Sequence, residues 1–182
     1  MKKTLLITGC AGFIGFHLSK KLIELKKYKV FGIDNLNNYY DVNLKKKRIF
    51  ELKEYSKKKK NFVFKKIDIT NRSKLNSIKE KFDFVVHLAA QAGVRYSLKY
   101  PRQYINVNIN GFFNILELAK DRKIKKFLYA STSSVYGNNS DLPSSESQKV
   151  DKPLQIYAAT KGANELMAHS YSSLYKLCSV GL

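Results

Sequence analysis

The segment TGCAGFIG, Thr8 to Gly15, constrains this chain more than any other. It follows a short apolar run, Thr4–Thr8, and opens a stretch of helical period that extends to about Lys26. Glycines at a strand–helix junction serve a tight turn, close backbone approach to an anion, and close packing of helix on strand. The helix N-terminus behind them offers free N–H groups and partial positive charge, which suits a pyrophosphate. Gly9, Gly12 and Gly15, with Phe13 and Ile14 between them, are therefore candidate contacts to a dinucleotide. Glycines also mark ordinary turns, so the context of the motif has to carry the reading.

That context is an alternation of strands and helices. Apolar runs at Thr4–Thr8, Lys29–Asp34, Phe62–Asp68, Phe82–Ala90 and Lys125–Ser131 predict five strands, and CSVGL at the end reads as a sixth. Helical patterns fill the gaps: Phe13–Lys26, with Ile14, Leu18, Leu22 and Leu25 on one stripe, then within Asn43–Lys58 and Ser73–Lys81. A longer helix follows Pro101, and the last carries YAATKGANELMAHSYSSLY. Parallel strands need crossover connections, so the expected fold is α/β, a doubly wound, Rossmann-like parallel sheet. The predicted strand order is third, second, first, fourth, fifth, with the cleft where the winding reverses. The polar, Ser-rich loop Tyr136–Pro153 reads as a mobile segment at the mouth of a site.

Asp34 ends the second strand, where a carboxylate accepts hydrogen bonds from ribose hydroxyls and repels a 2′-phosphate, favouring NAD over NADP. The alternative is a turn aspartate beside Asn35, itself a candidate contact. Asp68 and Ile69 end the third strand and either hold an adenine or, for Asp68, cap the next helix. Leu88, Ala89 and Ala90 end the fourth strand with small residues against which a cofactor can lie.

Composition excludes several classes. No apolar run is long enough for a membrane span. The opening MKKTLLITGCAGF imitates a secretory signal, but the glycine turn interrupts it early, and a cytoplasmic chain without a targeting segment is expected. Two cysteines and three scattered histidines give neither a disulfide framework nor a metal site. The net charge of +20 raises the question of nucleic acid. The lysines are spread without a repeating basic–aromatic pattern, so they read as a solvated surface. Steering of an anionic substrate and nonspecific nucleic-acid contact are the alternatives.

The last helix opens on YAATK, which sets Tyr157 and Lys161 four residues apart on one face. The pair is either an inconsequential surface contact or a phenol beside a charge that helps it give up its proton. Thr132, Ser133 and Ser134 follow the fifth strand, where hydroxyl runs usually serve turns.

With these blocks in order, the chain resembles the extended short-chain dehydrogenase/reductase (NAD-dependent epimerase/dehydratase) family. GIDNLNNYYDVNLKKKRI, HLAAQAGVRYS, INVNINGFFNILELA, ASTSSVYG and YAATKGANELMAHSYS all resemble its nucleotide-sugar epimerases, particularly those interconverting UDP-glucuronate and UDP-galacturonate. The resemblance implies that Tyr157 is the catalytic base, and that Lys161 holds the nicotinamide ribose and lowers the phenol's pKa. It implies that Thr132 binds the reacting sugar hydroxyl while Ser133 and Ser134 line the sugar pocket. Asn108 matches an asparagine near the family's active site. Arg95 would pair with a uronate or diphosphate, or is a surface arginine. The implied reaction oxidises the sugar to a transient 4-keto form on NAD and reduces it on the other face. Family dehydratases carry Asp-Glu after the Thr, and decarboxylases a Glu two positions on; both places here are Ser.

The family's chains continue past this point into the rest of the sheet and a nucleotide-gripping domain. Residues 1–182 are accordingly expected to be an NAD-binding domain, incomplete at its C-terminal end and lacking the substrate domain. A nucleotide sugar, a complementary C-terminal half and a homodimer stand among the expected partners. An NAD-holding module without turnover and a basic interaction protein remain the other readings.

Overall fold

The computed structural model describes residues 2–58, 60–138 and 143–182. Its strands are β1 (Lys3–Thr8), β2 (Tyr28–Asp34), β3 (Phe62–Lys66), β4 (Phe84–His87), β5 (Lys126–Tyr129) and β6 (Ser179–Gly181). They form one sheet in the order β3-β2-β1-β4-β5-β6, and every pairing in it is parallel. The helices are α1 (Phe13–Glu24), α2 (Val42–Ser56), α3 (Arg72–Asn76), α4 (Val94–Lys99), α5 (Pro101–Tyr104), α6 (Phe112–Asp121) and α7 (Ile156–Tyr175). The expected order of the first five strands is the observed one. Among the described residues, no helix is long and apolar enough to cross a membrane.

Side chains alternate across the pleat of a strand, and the sheet buries both faces. Leu5 and Ile7 on β1 face a core shared with Phe16 and Ile23 of α1 and Leu52 of α2. Leu6, between them, joins the opposite core with Phe31 of β2, Phe112, Ile115 and Leu116 of α6, and Phe127 of β5. Full burial of a Leu, Ile or Phe side chain is worth roughly 1.5–3 kcal/mol. These two layers therefore hold the carboxyl ends of β1 and β4 in fixed relation, and the cleft opens there.

The apolar stripe Ile14, Leu18, Leu22 and Leu25 is not the buried face of α1. Gly15, Phe16, Ser19 and Ile23 are the buried residues, while Ile14 is 64% and Leu25 47% exposed. The glycine turn sets the rotation: Gly15 must lie against Gly9, and this points Ile14 into the cleft. Leu18 and Leu22 keep only partial contact at the edge of the core.

Strand ends also differ from the expected ones: β1 and β2 each begin one residue earlier, at Lys3 and Tyr28, while β3, β4 and β5 are shorter. β4 ends at His87: the Leu88 N–H is shared between the Thr8 carbonyl and hydroxyl, both at 3.2 Å, and the Ala89 N–H turns to that hydroxyl at 3.0 Å. The expected helix within Ser73–Lys81 ends at Asn76, and the Arg122 guanidinium donates to the Ile78 and Glu80 carbonyls beyond it. Its N-cap is Asn71, which accepts from Lys74 N, rather than Asp68. The helix after Pro101 runs on to Asp121, but Ile105–Gly111 is wound as π-helix. Within the expected mobile loop Tyr136–Pro153, residues 139–142 lie outside the described residues.

Candidate active site

A cleft of about 490 Å³ lies at the carboxyl ends of β1, β2 and β4. Gly9, Gly12, Phe13, Ile14 and Gly15 form its floor. Gly9 has φ +72°, and a Cβ there would come within 2.8 Å of Ala89 N. At Gly15 a Cβ would collide with the Gly9 carbonyl oxygen. The loop therefore admits neither side chain, and its backbone stays open to a ligand.

Asp34 and Asn35 line the cleft at the end of β2, and Ile69 lines it beyond β3. The buried Asp34 carboxylate accepts from Ala11 N at 3.1 Å and Leu36 N at 2.8 Å. It closes a local turn, as the plainer reading has it, and also ties the glycine loop to β2. Each carboxylate oxygen can accept more than one hydrogen bond, so acceptor capacity remains. Asp68 does not line the cleft; it accepts from Asn35 Nδ2 at 2.8 Å and from the Thr70 N–H and hydroxyl. Burial pushes its carboxyl up, but those hydrogen bonds outweigh burial and hold it below the usual carboxylate range. Asp68 thus reaches the cleft only through Asn35.

Leu88, Ala89 and Ala90 form the opposite wall. Behind them, buried Asn108 accepts from Gln91 N at 2.8 Å and donates to Gln91 O and to the Thr160 hydroxyl. Asn164 donates to the Asn108 carbonyl at 2.7 Å. The π-helical winding loosens the ordinary i→i−4 ladder here, leaving that carbonyl to a side chain from α7. Asn108 is therefore a buried link between the cleft wall and the helix that carries Tyr157, not a surface residue.

Tyr157 is the second residue of α7, half-buried, with its ring edge-on to buried Tyr104 at 6.0 Å. The Tyr104 hydroxyl donates to the carbonyls of Ala92 and Gly93 in the wall loop. Lys161, one turn on, is 3% exposed; burial lowers its pKa to about 8, against an opposing contribution from Glu165. Thr132 opens the tight 3₁₀ turn Ser133–Tyr136, accepting from Ser134 N at 3.2 Å, and α7 packs against that turn. Ser133 is exposed and Ser134 half-buried. Arg95 is exposed on α4, and neither it nor the hydroxyl turn lines the cleft. The turn that Thr132 opens packs against α7, which carries Tyr157 and Lys161, and α4, with exposed Arg95, packs against the same helix.

Several cleft residues escaped the sequence reading. Lys45 and Arg48 of α2 line it with Tyr39 and Tyr40. Buried Lys45 donates to the Asn37 carbonyl at 2.9 Å, and Arg48 donates to the Ala11 carbonyl and the Tyr40 hydroxyl. Their sequence signal, a Lys-rich helix, could not be told from solvated charge. His87 is buried on β4, and Thr8 Oγ1 lies 2.8 Å from its Nδ1. Burial, then the Lys161 charge, pulls its pKa down to about 3, so the imidazole is neutral. Among the described residues, no group of three or more His, Cys, Asp or Glu could hold a metal ion.

Comparison with known proteins places this architecture. A UDP-glucuronate 4-epimerase of Thermodesulfobacterium geofontis is 49% identical over 174 residues, 94% of this chain and 52% of that protein. A UDP-glucuronic acid 4-epimerase from Bacillus cereus, solved with UDP-glucuronic acid and NAD, superposes with a TM-score of 0.87. It is 38% identical, and the match covers 98% of this chain and 55% of that one. A UDP-N-acetylglucosamine 4-epimerase from Methanobrevibacter ruminantium M1, solved with UDP-N-acetylmuramic acid, gives 0.84 at 33% identity, covering 100% and 54%. The chain spans about half the length of these relatives. The family described as GDP-mannose 4,6 dehydratase matches residues 6–181, and the chain belongs to that family.

Proposed function

We propose that this chain is the cofactor-binding part of an NAD-dependent nucleotide-sugar 4-epimerase that interconverts UDP-glucuronate and UDP-galacturonate. The observation that carries the reading is the row of Tyr157 and Lys161 on a helix packed against the turn that Thr132 opens, together with a cleft whose glycines leave room for a pyrophosphate. The cleft fits NAD in this chain's own residues: a side-chain-free loop at a helix N-terminus, and an acidic group with spare acceptor capacity at the end of β2. NAD, when bound, supplies reversible hydride acceptance from the sugar carbon.

The protein's part is proton handling and placement. The Tyr157 hydroxyl takes the proton of the sugar 4-hydroxyl as that carbon is oxidised and returns it after reduction. Lys161 holds a positive charge beside it in a water-poor position. Thr132 presents a hydroxyl to the same sugar oxygen and fixes its direction. Elimination of water would need a further acid and base, and the positions after Thr132 are Ser133 and Ser134. Simple epimerisation needs no acid or base beyond Tyr157.

The test is conversion of UDP-glucuronate, followed by the appearance of UDP-galacturonate. The 182-residue chain is assayed alone and with the remaining half of a relative supplied. We expect turnover only in the second case, because binding energy from the remote UDP must be used to place the sugar. Robust conversion of UDP-glucose but not UDP-glucuronate would assign a different sugar. No conversion with NAD bound would leave an NAD-holding module.

Cofactor choice is a separate prediction. Asp34 lines the cleft together with the cations Lys45 and Arg48. With the carboxylate present, NAD should bind at least about tenfold more tightly than NADP, about 1.4 kcal/mol. Asp34→Ala removes the repulsion and leaves both cations, so the preference should narrow or invert in fluorescence titrations. Tighter NADP binding by the wild type would show that Asp34 does not read the ribose.

A further inference from the structure

We propose that Glu165 is a positioning residue of this site: it ties the end of β5, immediately before Thr132, to the row of Tyr157 and Lys161, and it is the counter-charge of Lys161. The inference rests on the reading of Tyr157 and Lys161 as the reacting pair. Tyr157, Lys161 and Glu165 follow one another at intervals of four along α7, so they form a single row on the helix. At the lower end of the row, Ser131 Oγ donates to Glu165 Oε1. Ser131 N donates to Leu182 O at 2.7 Å, so the same residue is held on its other side by the chain leaving β6. Glu165 therefore anchors the strand end from which Thr132 departs.

The charges around the row make Glu165 singular among the described residues. On β4, His87 is neutral. On β5, the Tyr129 phenol is pushed up to about 12, by burial first and then by the Glu165 charge, and stays protonated. On α5, burial raises Tyr104 to about 12 as well. Neither phenol supplies negative charge near neutral pH. Lys161 is thus a buried ammonium whose one opposing influence against desolvation is the carboxylate one turn below it. A buried ammonium without a counter-charge gives up its proton more readily. Lys161 would then hold the charge that its role beside Tyr157 requires in a smaller share of molecules near neutral pH.

The decisive measurement is the titration of Lys161 itself, which needs no turnover. In the 182-residue chain labelled with [ε-¹³C]lysine, the Lys161 resonance is identified by its absence from Lys161→Arg. Its midpoint is expected near the value that burial and Glu165 set together. Glu165→Gln, which keeps an acceptor for Ser131 but removes the charge, should lower that midpoint by about one pH unit. Glu165→Asp, which keeps the charge, should restore most of it. Ser131→Ala leaves every charge in place but releases the carboxylate, and should give a smaller fall in the same direction. A purely structural Glu165 would lower the melting temperature of these variants and leave the midpoint where it was. An unmoved midpoint in Glu165→Gln, or in Ser131→Ala should the Gln variant not fold, overturns the proposal. Failure of the epimerase reading would appear instead as unchanged turnover in Tyr157→Phe, with the Lys161 titration unaffected.

Discussion

Tyr157→Phe is expected to remove epimerase turnover by about 10²–10⁴-fold, the range for a positioned acid–base group, while NAD binding changes little. The variant deletes one oxygen and keeps the ring, so the edge-on contact with Tyr104 survives and α7 keeps its start. Nothing in the glycine loop or the Leu88–Ala90 wall depends on that oxygen. Kinetic loss without a change in cofactor affinity is therefore the signature of a group acting on the sugar proton. The measurement is kcat and NAD affinity in the assembled protein, wild type beside variant. Turnover within a few-fold of wild type would remove Tyr157 from the mechanism. A large loss of NAD binding would instead mean that the phenol holds the cofactor.

The second large effect is expected from one methyl group. Gly15→Ala places a Cβ against the Gly9 carbonyl oxygen, a backbone atom that cannot swing aside. The loop must open or α1 must shift, and overpacking of this kind costs typically 1–3 kcal/mol. Because Gly9 N donates to Ile33 O at 2.8 Å and Ala11 N to Asp34, that shift also disturbs the end of β2. NAD affinity should fall at least about tenfold together with stability, since the same backbone serves both. Gly162→Ala is the matching control. It lies inside α7 with nothing within 4 Å of the added Cβ, so it should stabilise the fold by roughly 0.5–1 kcal/mol. Urea unfolding of the two variants should give opposite signs. Equal and small changes in both would mean that the Gly9–Gly15 contact is not tight in solution.

The sequence by itself determined the wound sheet and the cofactor loop, because both are encoded in short-range pattern. Alternating apolar runs and helical stretches force crossovers, and TGCAGFIG states its own turn. Tyr157 and Lys161 were legible for the same reason, since four-residue spacing on a helix is a local fact. What neighbours what across the sheet was decided only by the tertiary structure. The end of β4 was misjudged because the Leu88 N–H is shared with, and the Ala89 N–H given over to, a hydroxyl on β1 far away in sequence. The apolar stripe of α1 is not its buried face, because packing against Gly9, rather than hydrophobic periodicity, sets its rotation. Lys45 and Arg48 looked like solvated charge until the fold laid α2 along the cleft. Glu165 carried no signal in the sequence, and only the fold brings Ser131 of the β5 end to it. Long-range partners change both the burial and the charge of a side chain, and no local pattern records that change.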